Sequence, residues 1–344
     1  MRIKLSFEGL VEADLSQFTG NPSGEIDGCE FFVDSQRREA DAWFIVEDVN
    51  PEDANCLTPP EQVHFLSAET SYSQSHYFNP SLIEFLAQFS VIHSCHPVPL
   101  ENSDFEPPFL PWMINANHES IFRPHSRGLH FFENLVELEK SKPLSVFCSS
   151  QDYTPDHKLR LAFATHLKAY FGNDIEWYGN GVNTIPEKWD GLAAYERTIV
   201  LENRSDRGIY SEKILDPFLS LTQPIYWGAP DITNFLPVHA EHQLDIRDFK
   251  SATEAIKRIL ENPVTVEEKD RLLAGKELVT GRLHFLRRIA HIAKTRASQN
   301  SNNGPAQISL APRGAFRELF QPVPQKKSLA DHAYLLARRL VKGH

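Results

Sequence analysis

Ser211, Glu212 and Lys213 put a hydroxyl, an acid and a base in consecutive positions at the head of an apolar, periodic run. Ser211 has the short polar side chain of an N-cap. Ile214, Leu215, Phe218, Leu219 and Leu221 follow at helical spacings, so residues 211 to 221 are expected to form a helix with one buried face. The first turn of such a helix offers free backbone N–H groups and the positive end of the dipole, which favour a diphosphate, and Lys213 adds a full charge there. Glu212 has lone pairs to accept hydrogen bonds from sugar or ribose hydroxyls. An isolated Glu-Lys pair is equally consistent with two solvated first-turn charges. The neighbouring residues therefore decide: Pro224 to Trp227 reads as a short apolar strand that stops at Gly228.

Several elements are expected to hold these residues in place. Leu144–Cys148 and Ile175–Gly179 read as strands, with a helix over Asp156–Tyr170 between them and a third strand at Arg197–Leu201. Strand-then-helix order argues for a parallel sheet, whose ligands gather at the carboxyl ends of its strands. Glu202, Asn203 and Gly228 fall at such ends; Gly179-Asn180-Gly181 does too, though a plain turn explains it as well. Upstream, Ala42–Val46, Val63–Leu66 and Phe89–His93 are strand candidates and Pro80–Gln88 a short helix, followed by a proline-dense loop from Pro97 to Pro111. An amphipathic stretch, Phe131 to Lys140, separates the two halves.

Ser-Glu-Lys-Ile-Leu-Asp, then Pro-Ile-Tyr-Trp-Gly-Ala-Pro and Asn-Phe-Leu-Pro, resembles the donor-binding signature of glycosyltransferase family 10, the α-1,3/1,4-fucosyltransferases. Glu202-Asn203 resembles that family's Phe-Glu-Asn element, with Leu201 in place of Phe. The match covers residues 199 to 237 and is specific because several elements occur in order. The resemblance implies an α/β chain of GT-B fold, two Rossmann-like domains facing a cleft, with basic C-terminal helices. It implies domains at 1–142 (acceptor side), 143–296 (GDP-sugar donor) and 297–344 (polar linker and basic amphipathic helix). Donor contacts are implied at Arg160, Glu202, Asn203, Tyr210, Ser211, Glu212 and Lys213. Arg160 suits a diphosphate because its planar fork stays charged and pairs two oxygens at once. Ile209 stands where the family commonly has tyrosine, with Tyr210 one place later. Ala68-Glu69-Thr70 resembles a Gly-Glu-Asn segment whose glutamate is a general base.

The implied chemistry is transfer of L-fucose from GDP-fucose to a hydroxyl of a glycan acceptor with inversion, Glu69 removing the acceptor proton. Lys213, Arg160 and the helix N-terminus would stabilise the leaving GDP. No Asp-x-Asp lies near the donor region, and neither a cofactor nor an obligatory metal is expected. Cys29, Cys56, Cys95 and Cys148 form no Cys-x-x-Cys pair, and His93-Ser94-Cys95-His96 fits no zinc spacing. The 344 residues, 41% hydrophobic, suffice for two domains. No signal peptide or long apolar run is present, so a bacterial-type soluble, cytoplasmic protein is expected.

Residues 276–344 hold 13 Lys and Arg against 3 Asp and Glu, so a tail of +10 follows a body of −21. Gly281–Arg296 and Leu329–Lys342 both read as basic amphipathic helices, either packed on the acidic body or in peripheral contact with the inner face of a membrane. The net charge of −11 argues against nucleic acid. Two other readings remain open: a non-catalytic nucleotide-sugar or glycan-binding relative, and the same fold acting on a different GDP-sugar.

Overall fold

The computed structural model describes residues 1–68, 79–116, 121–299 and 304–317. Glu69 and the second basic stretch, Leu329–Lys342, lie outside the described residues. Two α/β halves are each built on a parallel sheet. In chain order the first half holds β1 (Arg2–Phe7), β2 (Glu12–Ala13), α1 (Ser16–Thr19), β3 (Glu25–Ile26), β4 (Cys29–Asp34), β5 (Ala42–Val46), β6 (Asn55–Thr58) and β7 (Val63–Leu66). It continues with α2 (Pro80–Leu86), β8 (Val91–Ser94), β9 (Ser103–Phe105) and α3 (Leu129–Asn134). The sheet runs β2-β4-β1-β5-β7-β8-β9, parallel from β4 to β9, with β2 and β3 antiparallel to β4.

The second half holds β10 (Lys142–Phe147), α4 (Pro155–Phe171), β11 (Ile175–Tyr178), β12 (Tyr195–Leu201), α5 (Glu212–Leu219) and β13 (Gln223–Trp227). Then come α6 (Phe249–Leu260), α7 (Val266–Thr280), α8 (Phe285–Gln299), β14 (Ala306–Ser309) and α9 (Arg313–Arg317). Its sheet is parallel in the order β11-β10-β12-β13. The chain leaves β10 for β11 on one side and returns to β12 on the other. The carboxyl ends of β10 and β12 therefore form a topological switch point, where open α/β sheets bind ligands.

Strand alternation builds three cores. On β5, Ala42, Phe44 and Val46 face a core shared with the second half, while Trp43 and Ile45 face one behind the first sheet. On β12 and β13, Val200 and Tyr226 join the shared core, and Ile199, Leu201, Ile225 and Trp227 enter the core behind the second sheet. Helices α5, α7 and α8 supply much of the shared core through Ile214, Phe218, Val279, Phe285 and Ile289. Burial on both faces explains the nearly unbroken apolar strands.

The basic periodicity expected to begin at Gly281 starts later. Helix α7 ends at Thr280, Gly281 N–H caps Glu277 O at 2.9 Å, and α8 begins at Phe285. Although sequence order groups α8 with the second half, it packs against the first. Gln62 Nε2 donates to Ala293 O at 3.1 Å, and Arg288 donates to Pro107 O and Pro108 O at 2.7 and 2.8 Å. The first of the two basic helices thus has its apolar face buried on the body, and β14 pairs antiparallel with β6 beyond it. Among the described residues no helix is long and apolar enough to cross a membrane.

Candidate functional site

A cleft of about 330 Å³ opens at the switch point, between the carboxyl ends of β10 and β12 and the N-terminus of α5. Cys148, Ser149, Arg160, Asn180, Lys188, Asn203, Glu212 and Lys213 line it from the second half, and Met113 and Ala116 from the first. Each position has a local cause. Helix α4 starts at the N-cap Thr154, which accepts from His157 N–H, with Pro155 at the first helical position. One turn later Arg160 is buried, 3% exposed, and donates from Nη2 to Ser149 Oγ at 3.2 Å. Its Nε has no hydrogen-bond partner, and burial lowers its pKa. A buried cation with spare donors facing a cleft is suited to an anion.

Helix α5 is fixed from behind. Buried Glu202, following β12, accepts from Ser211 N–H at 2.8 Å and from Ser211 Oγ at 2.6 Å. Ser211 Oγ in turn accepts from Lys213 N–H at 3.3 Å and lies 3.2 Å from Lys213 Nζ. Glu202 is therefore a positioning group for the helix start, 4.0 Å from Lys213 Nζ and not itself on the cleft wall. Burial raises its pKa, opposed by Lys213 and Ser211. Gly228 follows from the same packing: a Cβ there would meet Glu202 Cγ at 2.5 Å and Tyr226 Oη at 2.3 Å. The Trp-Gly step is thus needed for the close approach of the buried acid.

Helix α5 also presents Glu212 and the buried Asp216, one turn apart, to Lys188 Nζ at 3.1 and 2.9 Å. Burial pushes the Glu212 carboxyl up, but Lys188 and Lys213 overcome it and hold the pKa down at about 2. Burial dominates at Asp216, whose pKa is raised. Lys188 is held above the ordinary lysine range: Asp216 and Glu212 together outweigh its burial. Asp216 also accepts from Met113 N–H at 2.9 Å, tying the first half to the floor of the cleft. Beside Lys188, Glu187 is gripped by Arg123 at 2.5 Å and by Arg127, both from the first half.

Five expected donor residues thus converge as a unit: Arg160, Asn203, Glu212 and Lys213 on the wall, with Ser211 capping the helix. Asn203 Oδ1 is buried without a partner. Glu202 lies behind them, and Tyr210 is not brought to the cleft. Its ring packs 5.5 Å from Phe235, and burial raises its pKa to about 12. Gly179-Asn180-Gly181 is a turn against β10, with Ser150 N–H on Asn180 O at 2.9 Å, and it also lines the cleft. Lys188 was not legible, because it sits in a single 3₁₀ turn, Lys188–Gly191, with no periodicity. Among the described residues no group of three or more His, Cys, Asp or Glu is placed to hold a metal ion. His93 instead meets His64 at 3.2 Å.

Comparison with known proteins gives limited overlap. No family model matches the chain. The Helicobacter pylori protein described as "Alpha-(1,3)-fucosyltransferase FucT" is 32% identical over 130 residues, 36% of this chain and 26% of its own length. The match therefore spans about a quarter of that relative. A crystal structure of an alpha1,3-fucosyltransferase superposes with a TM-score of 0.44 at 14% identity, covering 84% of this chain and 90% of the other. A structure of an alpha1,3-fucosyltransferase with GDP-fucose gives 0.46 at 17% identity, covering 86% and 91%.

Proposed function

We propose that this chain is a glycosyltransferase of GT-B type that moves L-fucose from GDP-fucose to a hydroxyl of a glycan acceptor, inverting the anomeric centre. The observation that carries the reading is the cleft at the switch point of the second sheet, where buried Arg160 and Lys213 at the head of α5 face one space. The partial identity to the Helicobacter pylori relative points the same way.

In this reading the diphosphate lies between Arg160 and the first turn of α5. Arg160 offers donors unused by the protein, and Lys213 places its charge beside the bond that breaks. As the C1–O bond to GDP lengthens, charge grows on the diphosphate oxygen, and these preorganised cations stabilise it more in the transition state than in the ground state. Glu212, kept ionised by Lys188 and Lys213, is available to accept hydrogen bonds from the donor's hydroxyls. Asn203 supplies an open acceptor at the same wall. Glu69 follows Ala68, whose N–H donates to Glu47 Oε1 at 2.5 Å past the carboxyl end of β7. As general base it takes the acceptor hydroxyl proton while that oxygen attacks C1 from the face opposite GDP. Peripheral membrane contact would fall to residues 329–342.

Calorimetric titration with GDP, GDP-fucose, GDP-mannose and UDP-sugars tests the donor, followed by a transfer assay with whichever binds. Tight binding of GDP and GDP-fucose, with turnover unaffected by a chelator, is expected. Binding to UDP-sugars alone, or activity that a chelator abolishes and manganese restores, overturns the corresponding part. Glu69→Gln separates the enzyme from a non-catalytic binder: it is expected to remove turnover and leave GDP affinity intact.

A further inference from the structure

A second cleft, of about 570 Å³, shares no lining residue with the first, and nothing in the donor reading uses it. It opens at the carboxyl edge of the first sheet, where Glu106 follows β9, and is closed by Phe235 of the second half and by the turn into α8. Its walls carry Arg282, Arg287, Arg288 and His291 against the single carboxylate of Glu106. Two of these cations are committed to the scaffold: Arg288 pairs with Glu106 at 3.2 Å and Arg287 with Glu133 at 2.9 Å. Arg282 and His291 are exposed at the mouth. Opposite them the half-buried ring of Phe235 packs 5.5 Å from Tyr210 and leaves an aromatic surface in the cleft.

We infer that this cleft binds an acidic saccharide, the carboxylate-bearing residue of the glycan acceptor; the acceptor role rests on the proposed transferase reading. The chemistry is complementary on both sides. A pyranose ring has an apolar face that suits Phe235, and a carboxylate suits the fork of Arg282, which carries charge and donors in one plane. Position supports it as well. Tyr210, whose ring packs on Phe235 of this cleft, is followed directly by Ser211, the N-cap of the helix whose Glu212 and Lys213 line the donor cleft, so adjacent residues connect the two sites.

The test is saturation-transfer NMR on the full chain with sodium glucuronate or glucose, each with saturating GDP so that Arg160 and Lys213 are already engaged. Glucuronate is expected to give the stronger signal, and Arg282→Glu to cut it about tenfold, the scale of a charge-assisted hydrogen bond, with GDP affinity unchanged by calorimetry. Glucuronate no stronger than glucose, or undiminished in Arg282→Glu, overturns the inference. Glucuronate binding in a protein that fails to bind GDP would remove the donor reading and leave this cleft standing.

Discussion

The carboxyl edge of the second sheet and the surroundings of His64 on β7 of the first handle buried polar groups in opposite ways. At the second edge they are ions in a closed network: Lys188 bridges Glu212 and Asp216, while Glu202 and Lys213 meet around Ser211. Around His64, near the amino end of β7, they are neutral rings. His64 stacks on Phe44 at 4.3 Å, its Nδ1 meets His93 Nε2 at 3.2 Å, and Gln62 satisfies its other nitrogen. Burial holds the His93 pKa down at about 4. A paired ionic network fixes cations against a preset geometry but leaves Arg160, which has no carboxylate partner among the described residues, to meet an incoming anion. A neutral aromatic stack adds no field of its own. Part of the charge beside this stack comes from α8, which arrives late in the chain and lays Arg288 over Phe109 at 3.8 Å.

The sharpest way to break this contrast is to remove the cation at the head of α5. Lys213→Ala is expected to lower kcat for transfer by about 10²–10³, the usual loss when one preorganised charge facing the leaving group is deleted. Lys213→Arg should recover part of it. A variant that folds normally by circular dichroism and keeps full kcat would show that the network serves stability alone. Glu202→Ala comes next. It leaves the buried Ser211 N–H without its acceptor and opens a cavity against Gly228, so a loss of about 2–3 kcal/mol in urea unfolding is expected, together with weaker GDP binding as the start of α5 loosens.

The second edge was legible because its signals are local. A cap, an apolar period and a glycine after a strand can be read within thirty residues, and α5 and β13 form where Ser211 and Pro224–Trp227 placed them. Tyr210 went astray for an equally local reason. Ser211 turns its N–H and hydroxyl to Glu202, while the ring of the adjacent Tyr210 packs on Phe235 instead. Lys188 was hidden because its partners are 24 and 28 residues downstream in the chain. In the first half, β4 was hidden because Cys29–Asp34 is covered on both faces and shows no alternation. The docking of α8 on that half is a long-range contact, and its basic sequence fits a membrane surface as well as an acidic one.

Acid titration should separate the two regions further. His93 has a folded pKa of about 4 against 6.5 in the unfolded chain, so the unfolded state binds the proton first. Its contribution is complete above pH 6.5 and is lost as pH falls toward 4; between pH 8 and 5 the loss amounts to about 2 kcal/mol. Glu212, lowered from 4.5 to about 2, keeps its stabilisation above about pH 4.5 and loses it progressively as pH falls from there toward 2. His93→Gln is therefore expected to flatten the stability profile between pH 8 and 5 in chemical denaturation, whereas Glu212→Gln leaves that slope unchanged. An unaltered slope in His93→Gln would place the acid sensitivity elsewhere, as at His242, also held down at about 4 by burial at the amino end of β13.

The smallest expected effect tests whether the second edge is shaped for a ligand or only for itself. Asn203 Oδ1 is buried on the cleft wall and accepts no hydrogen bond, a cost of about 1–3 kcal/mol to the empty protein. A residue kept for stability would lose stability on truncation. Asn203→Ala removes the orphaned acceptor, so its unfolding free energy should stay level or rise slightly while GDP-sugar affinity falls by about three- to tenfold, the worth of one hydrogen bond. Opposite signs in denaturation and calorimetry would mark Asn203 as a group held ready for the donor. A fall in both would make it one more strut of the network that already holds Glu202 and Ser211.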